Sequence, residues 1–273
     1  MKRPGFMKRF SLGFSGYLGL ALTAMVVLVA VIGPFIATES PLDFVDAPLA
    51  PPNEFNWLGT DTLGRDVLAR VLHGGWRILS AGAIATLCGV FVGALIGIYA
   101  GYSKGWVDNA VMRLTDAALA FPQIILVLLF VSLLGPQIWL ILLLVAFSHV
   151  PSVARVARGA ALGVVEEEYI RFCVAVGMPN RQIILREILP NLRTVLFVEL
   201  GLRFSYSVVL IAALGFLGFG VQPPDADWGL MINENRIALA SNPWPVVVPV
   251  FLIACLTIGL NLIVDANARR SFR

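Results

Sequence analysis

Charge is what this sequence has least of: Asp, Glu, Lys and Arg together make up 14% of its 273 residues, while 58% are hydrophobic. A water-soluble domain of that length needs a charged exterior, and this composition cannot supply one. Cysteine is scarce as well. Cys88 and Cys255 lie inside apolar runs and Cys173 in a basic stretch, so there is neither a disulfide framework nor metal-ligand spacing. The two histidines, His73 and His149, stand apart, which argues against a histidine metal site or a haem ligand pair and leaves structural roles. A G-x-x-x-x-G-K-[ST] phosphate loop is absent, so the chain itself neither binds nor hydrolyses ATP. No spacing supports Ser-His-Asp or Cys-His nucleophilic chemistry. No catalytic residue, no metal and no cofactor of its own are therefore assigned, and no nucleic-acid partner is expected.

What the sequence has in quantity is long apolar runs. Mean hydropathy is +0.85. The runs are roughly 18–25 residues long, the length that carries an α-helix across a hydrocarbon core about 30 Å thick. In lipid the backbone must satisfy its own hydrogen bonds, so such runs are helices. A β-barrel would show alternating segments of about ten residues, and these are missing. The blocks fall at 17–37, 78–99, 117–134, 138–154, 195–216 and 244–264. The fold class is therefore an all-α, polytopic membrane helical bundle of about six transmembrane helices. The first block follows a basic start but is too long for a signal-peptide core and lacks a small-x-small cleavage site, which predicts a retained helix. Gly89, Gly93 and Gly97 are spaced four apart in the second block, a pattern that lets helices approach closely. Trp57, Trp76, Trp106, Trp228 and Trp244 flank the blocks, as interfacial belts do.

Orientation follows from the cations. With the N-terminus cytoplasmic, the inner side collects Lys2, Arg3, Lys8, Arg9, Lys104, Arg113, six arginines between 155 and 193, and Arg269, Arg270 and Arg273. The outer side keeps Arg65, Arg70, Arg77 and Arg236. The asymmetry predicts both termini inside, a large cytoplasmic loop at 155–193 and external segments at 38–76 and 217–243. The corresponding division is an N-terminal tail, first helix and external segment over 1–76, a membrane core over 77–268 holding that loop, and a cytoplasmic tail at 269–273.

The loop is not structureless. Glu166-Glu167-Glu168 suits a helix start, where carboxylates complement the macrodipole. The helix runs on to Val176 and stops at Gly177, a residue suited to a left-handed cap. Pro179 suits the first turn of a second helix, which Leu189-Pro190-Asn191 is expected to break before the chain re-enters the membrane. Two short helices with apolar and charged faces suit docking of another protein, the alternative being a solvated interfacial hairpin.

Gly177 followed a dozen residues later by Leu189-Pro190 resembles the EAA loop of binding-protein-dependent ABC importer permeases. The family's Glu-Ala-Ala falls on Arg171-Phe172-Cys173 and its isoleucine on Glu187, so the chain departs from the pattern there. Residues 58–70, LGTDTLGRDVLAR, resemble the external segment of the dipeptide/oligopeptide/nickel subfamily's "C" subunits. Residues 217–224, LGFGVQPP, followed by Asp227-Trp228-Gly229, are similar to the same subfamily's loop between its last two helices. Val150-Pro151-Ser152 with Arg155 and Arg158 fits the approach to the coupling loop. The resemblance implies a type I ABC importer permease fold in the cytoplasmic (inner) membrane of a prokaryote. It also implies a homologous second permease, two ATPase subunits that carry ATP and Mg, and an external substrate-binding protein. Coupling to the ATPases is then expected through Glu168, Tyr169, Arg171, Phe172, Cys173, Gly177, Leu189 and Pro190.

Two further charges stand out. Glu199 and Arg203 are four apart on the fifth block and share a face. Ionisable groups in a membrane face a cavity or a partner. The pair either lies on the translocation path, meeting the termini of a zwitterionic peptide, or satisfies itself within the bundle. Asp116 and Asp265, near block ends, are expected to anchor at the interface. Competing classes are an ion-coupled secondary transporter, which calls for inverted repeats and paired mid-membrane carboxylates, and a non-transporting scaffold. Within the importer class, nickel, glutathione and other small solutes stand beside di- and oligopeptides.

Overall fold

The computed structural model describes residues 13–271; the basic residues at 2–9 and Arg273 lie outside them. Among the described residues five helices are long and apolar enough to cross a membrane: α1 (Phe14–Ile36), α2 (Val67–Ser103), α5 (Ile138–Val165), α9 (Arg193–Phe216) and α11 (Trp244–Ser271). A bent pair, α3 (Gly105–Leu119) and α4 (Gln123–Leu134), makes a sixth span if taken together.

Three block boundaries move. The second block and the amphipathic stretch before it form one helix, α2, of 37 residues. At 1.5 Å per residue it is about 55 Å long, well beyond the hydrocarbon core. It starts where it does because Asp66 caps it, its Oδ2 accepting from the Ala69 N–H at 2.7 Å. The fourth block continues to Val165 through Pro151, so the first third of the expected loop is the end of α5. The third block is not one helix: the chain turns by 76° between α3 and α4. Pro122 supplies no N–H, and the residue before a proline is pushed out of the α region. The Gln123 side chain, just past the break, donates to the Ser148 carbonyl at 3.0 Å.

α2 and α5 form the spine. A Cβ on Gly89 would lie 2.6 Å from the Ala146 carbonyl oxygen, and one on Gly93 would lie 2.8 Å from that of Val150. At Gly97 a Cβ would overlap the Ala154 carbonyl. The glycine ridge is thus a seat for the α5 backbone, as small residues in membrane helices provide. At mid-bundle the Ser207 hydroxyl on α9 bonds both Thr86 of α2 (2.8 Å) and Nε2 of His149 of α5 (2.7 Å), tying three helices together.

α1 packs on α11 so closely that a Cβ on Gly19 would sit 2.8 Å from Leu262 Cβ. Val264 of α11 in turn meets Gly201 near the start of α9. The start of α1, the end of α11 and the 166–192 segment therefore share one end of the bundle. At the other end lie 38–66 and the segment holding α10 (Trp228–Asn235) and a 3₁₀ turn at Arg236–Ala238. Trp228 departs from the interfacial-belt expectation. It is fully buried, and its indole N–H donates to the Val71 carbonyl at 2.9 Å.

Candidate functional site

The 166–192 segment folds as a helical hairpin. Glu167 is the N-cap of α6 (Glu168–Ala175), which ends at Gly177 with φ +77°. The Gly177 N–H donates to the Val174 carbonyl and that of Met178 to Cys173, both at 3.0 Å, closing the helix end. A side chain at Gly177 would be strained by that φ, which is the physical content of a glycine there. After Pro179 come α7 (Asn180–Gln182), a π-helical stretch at Ile183–Ile188 and α8 (Leu189–Asn191), with a turn at Leu192 before α9. The expected break at Leu189-Pro190-Asn191 is therefore absent. The Leu189 N–H bonds to Ile184, five residues back, so the chain stays helical by widening to the π register. That register sets Ile183 and Ile188, five apart, on one inward face.

Ile170, Ile183, Ile188 and Leu192 are fully buried and share one apolar cluster with Ile98 of α2 and Val153, Ala157 and Ala161 of α5. The hairpin is thus seated on the spine. Its outer face is uncovered among the described residues: Tyr169, Phe172, Val174, Val176 and Leu185 are exposed, Phe172 at 67%. Of the residues singled out from the sequence, Glu168, Tyr169, Arg171, Phe172, Gly177 and Pro190 lie on the exposed side. Cys173 and Leu189 do not join them; both are half-buried and pack inward on the cluster. Lys104 and Arg171 each pair with Glu166. The hydrogen bond from Lys104, then that from Arg171, holds the Glu166 carboxyl below its ordinary range. Burial pushes the Tyr169 phenol up, although its oxygen accepts from the Asn191 amide at 3.0 Å.

Glu199 and Arg203 meet on α9, Nε to Oε2 at 2.9 Å, with side chains 7% and 16% exposed. The guanidinium also lies 5.6 Å from the Tyr206 ring centre, within cation–π range. A separate apolar groove of about 410 Å³ runs between α2, α9 and α11 and does not include the pair. Asp116 pairs with Arg155, and Asp108 with Arg158, fastening α3 to α5. His73 Nδ1 is 2.9 Å from the Ala69 carbonyl. No three His, Cys, Asp or Glu side chains among the described residues converge to hold a metal ion.

Sequence reasoning missed a buried ion cluster at the opposite end. Arg65 reaches Asp61 (2.7 Å) and Glu234 (2.9 Å), and Arg70 reaches the same two carboxylates at 3.0 and 2.9 Å. Asp61 and Arg70 are wholly buried and Arg65 is 2% exposed. Around it Asn235 accepts from the Thr62 N–H, and the Asn242 amide donates to the Leu58 and Thr60 carbonyls. The 58–70 segment that carried part of the subfamily resemblance is thus fastened to residues just beyond the other part, Glu234, Asn235 and Asn242. The Asp61–Arg65 spacing of four was visible in the sequence, but Glu234, 169 residues from Arg65, belongs to no local pattern.

A bundle of membrane-spanning helices, seating an exposed amphipathic hairpin at one end and a charge-locked cap at the other, is the build of a multi-subunit membrane permease. The chain belongs to the family described as binding-protein-dependent transport system inner membrane component, whose model matches residues 93–273. It is 35% identical over 248 residues to the dipeptide transport system permease protein DppC of Alkalihalophilus pseudofirmus, covering 90% of this chain and 82% of that one. To the glutathione transport system permease protein GsiD of Escherichia coli O6:K15:H31 it is 34% identical over 263 residues, covering 95% and 86%. GsiD of Pectobacterium atrosepticum is 35% identical over 214 residues, covering 78% and 71%. The chain is an inner-membrane permease component and not itself catalytic; ATP hydrolysis rests with partner subunits.

Proposed function

We propose that this chain forms half of the pathway by which an ATP-driven importer takes up short peptides across the cytoplasmic membrane, with both termini inside. Its partners are a homologous second permease, two ATPases bearing ATP and Mg, and an external substrate-binding protein. The observation that carries the reading is the hairpin. A seated element presenting Tyr169, Phe172 and Val176 to solvent has an apolar outer face that nothing among the described residues covers. Gly177, with Glu168, Tyr169, Arg171, Phe172 and Pro190, forms the coupling surface. Cys173 and Leu189 support it from below. The membrane core is 77–268, preceded by a tail, helix and external segment over 1–76 and followed by a short tail at 269–273.

Peptide chemistry is favoured because the chain is similar both to a dipeptide permease and to permeases for glutathione, itself a short peptide. We place Glu199 and Arg203 beside the pathway, where a neutral pair offers both signs of charge to a zwitterion. Uptake of labelled dipeptide and labelled glutathione, compared in cells with and without this chain, tests the substrate class. ATP-dependent uptake of at least one, lost on deletion, is the expected result. Uptake of neither peptide, with transport of nickel or another solute instead, would contradict it.

A further inference from the structure

α2 is gripped at both ends by elements remote from each other. At the inner end Ile98, fully buried, shares the apolar cluster of Ile170, Ile183 and Ile188 from the hairpin. Tyr102 Oη adds a hydrogen bond to Asn180 Oδ1 at 2.9 Å, and Lys104 an ion pair to Glu166. Over its inner half the helix is stiffened by the glycine ridge against α5.

The outer end is held differently. Each of two buried guanidiniums bridges the same two carboxylates, Asp61 of the preceding segment and Glu234 of α10. Arg70 belongs to α2 itself, and it also donates to the Asp225 carbonyl. Apolar packing tolerates sliding of one surface on another. A planar fork shared between buried Asp61 and half-buried Glu234 does not, because displacing it leaves buried charges unpaired away from water. The cluster is neutral as a set, two arginines against two acids, and it joins three chain segments at one point.

We propose that Arg70 and Glu234 are positioning residues that make α2 and the external cap one mechanical unit, so that displacement of the hairpin at the inner end is relayed through α2 to the external segments. The proposal rests on the reading of the hairpin as the coupling surface. By reciprocity, occupation of the cap by the binding protein shifts the hairpin by the same coupling free energy. The cluster transmits motion; it touches neither solute nor nucleotide.

The test uses the complete transporter in nanodiscs, nucleotide-free and trapped with Mg-ATP and vanadate, read by hydrogen exchange of 166–192 and of 41–66 with 217–243. In the wild type trapping is expected to change protection in both regions. In Arg70→Met the change at the cap should fall at least threefold while that at the hairpin persists. Glu234→Gln, which keeps shape and removes one charge, carries the same expectation where Arg70→Met does not assemble. A cap that exchanges faster in both states but responds to trapping by the full wild-type difference would overturn the relay and leave the cluster a structural tie. A wild-type hairpin that ignores trapping would remove the coupling reading beneath it, a result distinguishable because it appears before any substitution.

Discussion

Gly97 measures the close packing of α2 and α5. A Cβ there would lie 2.9 Å from both the Cα and the carbonyl carbon of Ala154, with the carbonyl oxygen nearer still. Ordinary carbon–carbon contact is about 3.5–4.0 Å, so Gly97→Ala requires the helices to part by about 1 Å at this point. The obstructing atoms are backbone and cannot rotate away, which places the cost near the upper end, about 3 kcal/mol, of the overpacking range. Alanine returns about 1 kcal/mol of helix propensity, leaving a net loss of about 2 kcal/mol. Gly159 and Gly163, on the same spine, would carry a Cβ with nothing within 4 Å of it. There the propensity gain stands alone, and alanine should stabilise by up to about 1 kcal/mol. Thermal unfolding of the complex in detergent, followed by loss of the monodisperse size-exclusion peak, reads the difference. For a domain of this size 1 kcal/mol moves the midpoint by about 2–4 °C, so Gly97→Ala should melt about 4–8 °C lower. A midpoint at or above wild type, matching Gly159→Ala, would refute the close-packing argument.

Gly177→Pro should uncouple ATP hydrolysis from uptake, because φ +77° is closed to proline; unchanged uptake per ATP would refute the coupling role. A bulky thiol adduct at half-buried Cys173 should do the same by lifting the hairpin off its seat, as the same ratio reports. Glu199→Gln with Arg203→Gln should leave assembly intact, since neutrality is kept, and lower uptake several-fold; normal uptake would reduce the pair to a bundle tie. Asp227 caps α10 by accepting from the Gly229 and Leu230 N–H groups at 2.9 and 3.2 Å, and burial pushes its pKa up to about 6. Between about pH 4 and 6 the folded cap therefore holds more protons than the unfolded chain, so its stability falls as pH rises, by an amount on the order of 3 kcal/mol. Asp227→Asn keeps a capping oxygen and should flatten the pH dependence of α10 hydrogen exchange; an unaltered slope would exclude Asp227 as its source.

The spans were legible because lipid imposes a single requirement, about twenty apolar residues in a helix, and the sequence meets it openly. What hid was decided by geometry beyond the apolar window. α2 and α5 continue past their apolar blocks because Asp66 caps one, while the other keeps helix-forming residues as far as Val165. The α3–α4 bend lies inside a mostly apolar stretch, where Pro122-Gln123 was its one signal. At Leu189-Pro190 proline suggested a break, but the Leu189 N–H turns to the Ile184 carbonyl, and the π register keeps Ile183 and Ile188 on the buried face. The hairpin was readable from Gly177, Pro179 and the acidic helix start, all local features. Which of its residues face outward was not, since Cys173 and Leu189 turn inward on contacts with α2 and α5. The ion cluster hid for the same reason, with partners 9 residues apart at one point and 169 at another.

As the membrane half of an ATP-driven, binding-protein-dependent importer coupled through the 166–192 hairpin, this chain should be isolated together with ATPases that answer to the binding protein. Purification in mild detergent after co-expression with its partner subunits, followed by an ATPase assay with and without the loaded binding protein, tests it most directly. The expected result is recovery of a second permease and two ATPases, with hydrolysis stimulated by the binding protein. Recovery of the chain without ATPases, together with ion-driven uptake in vesicles, would contradict it.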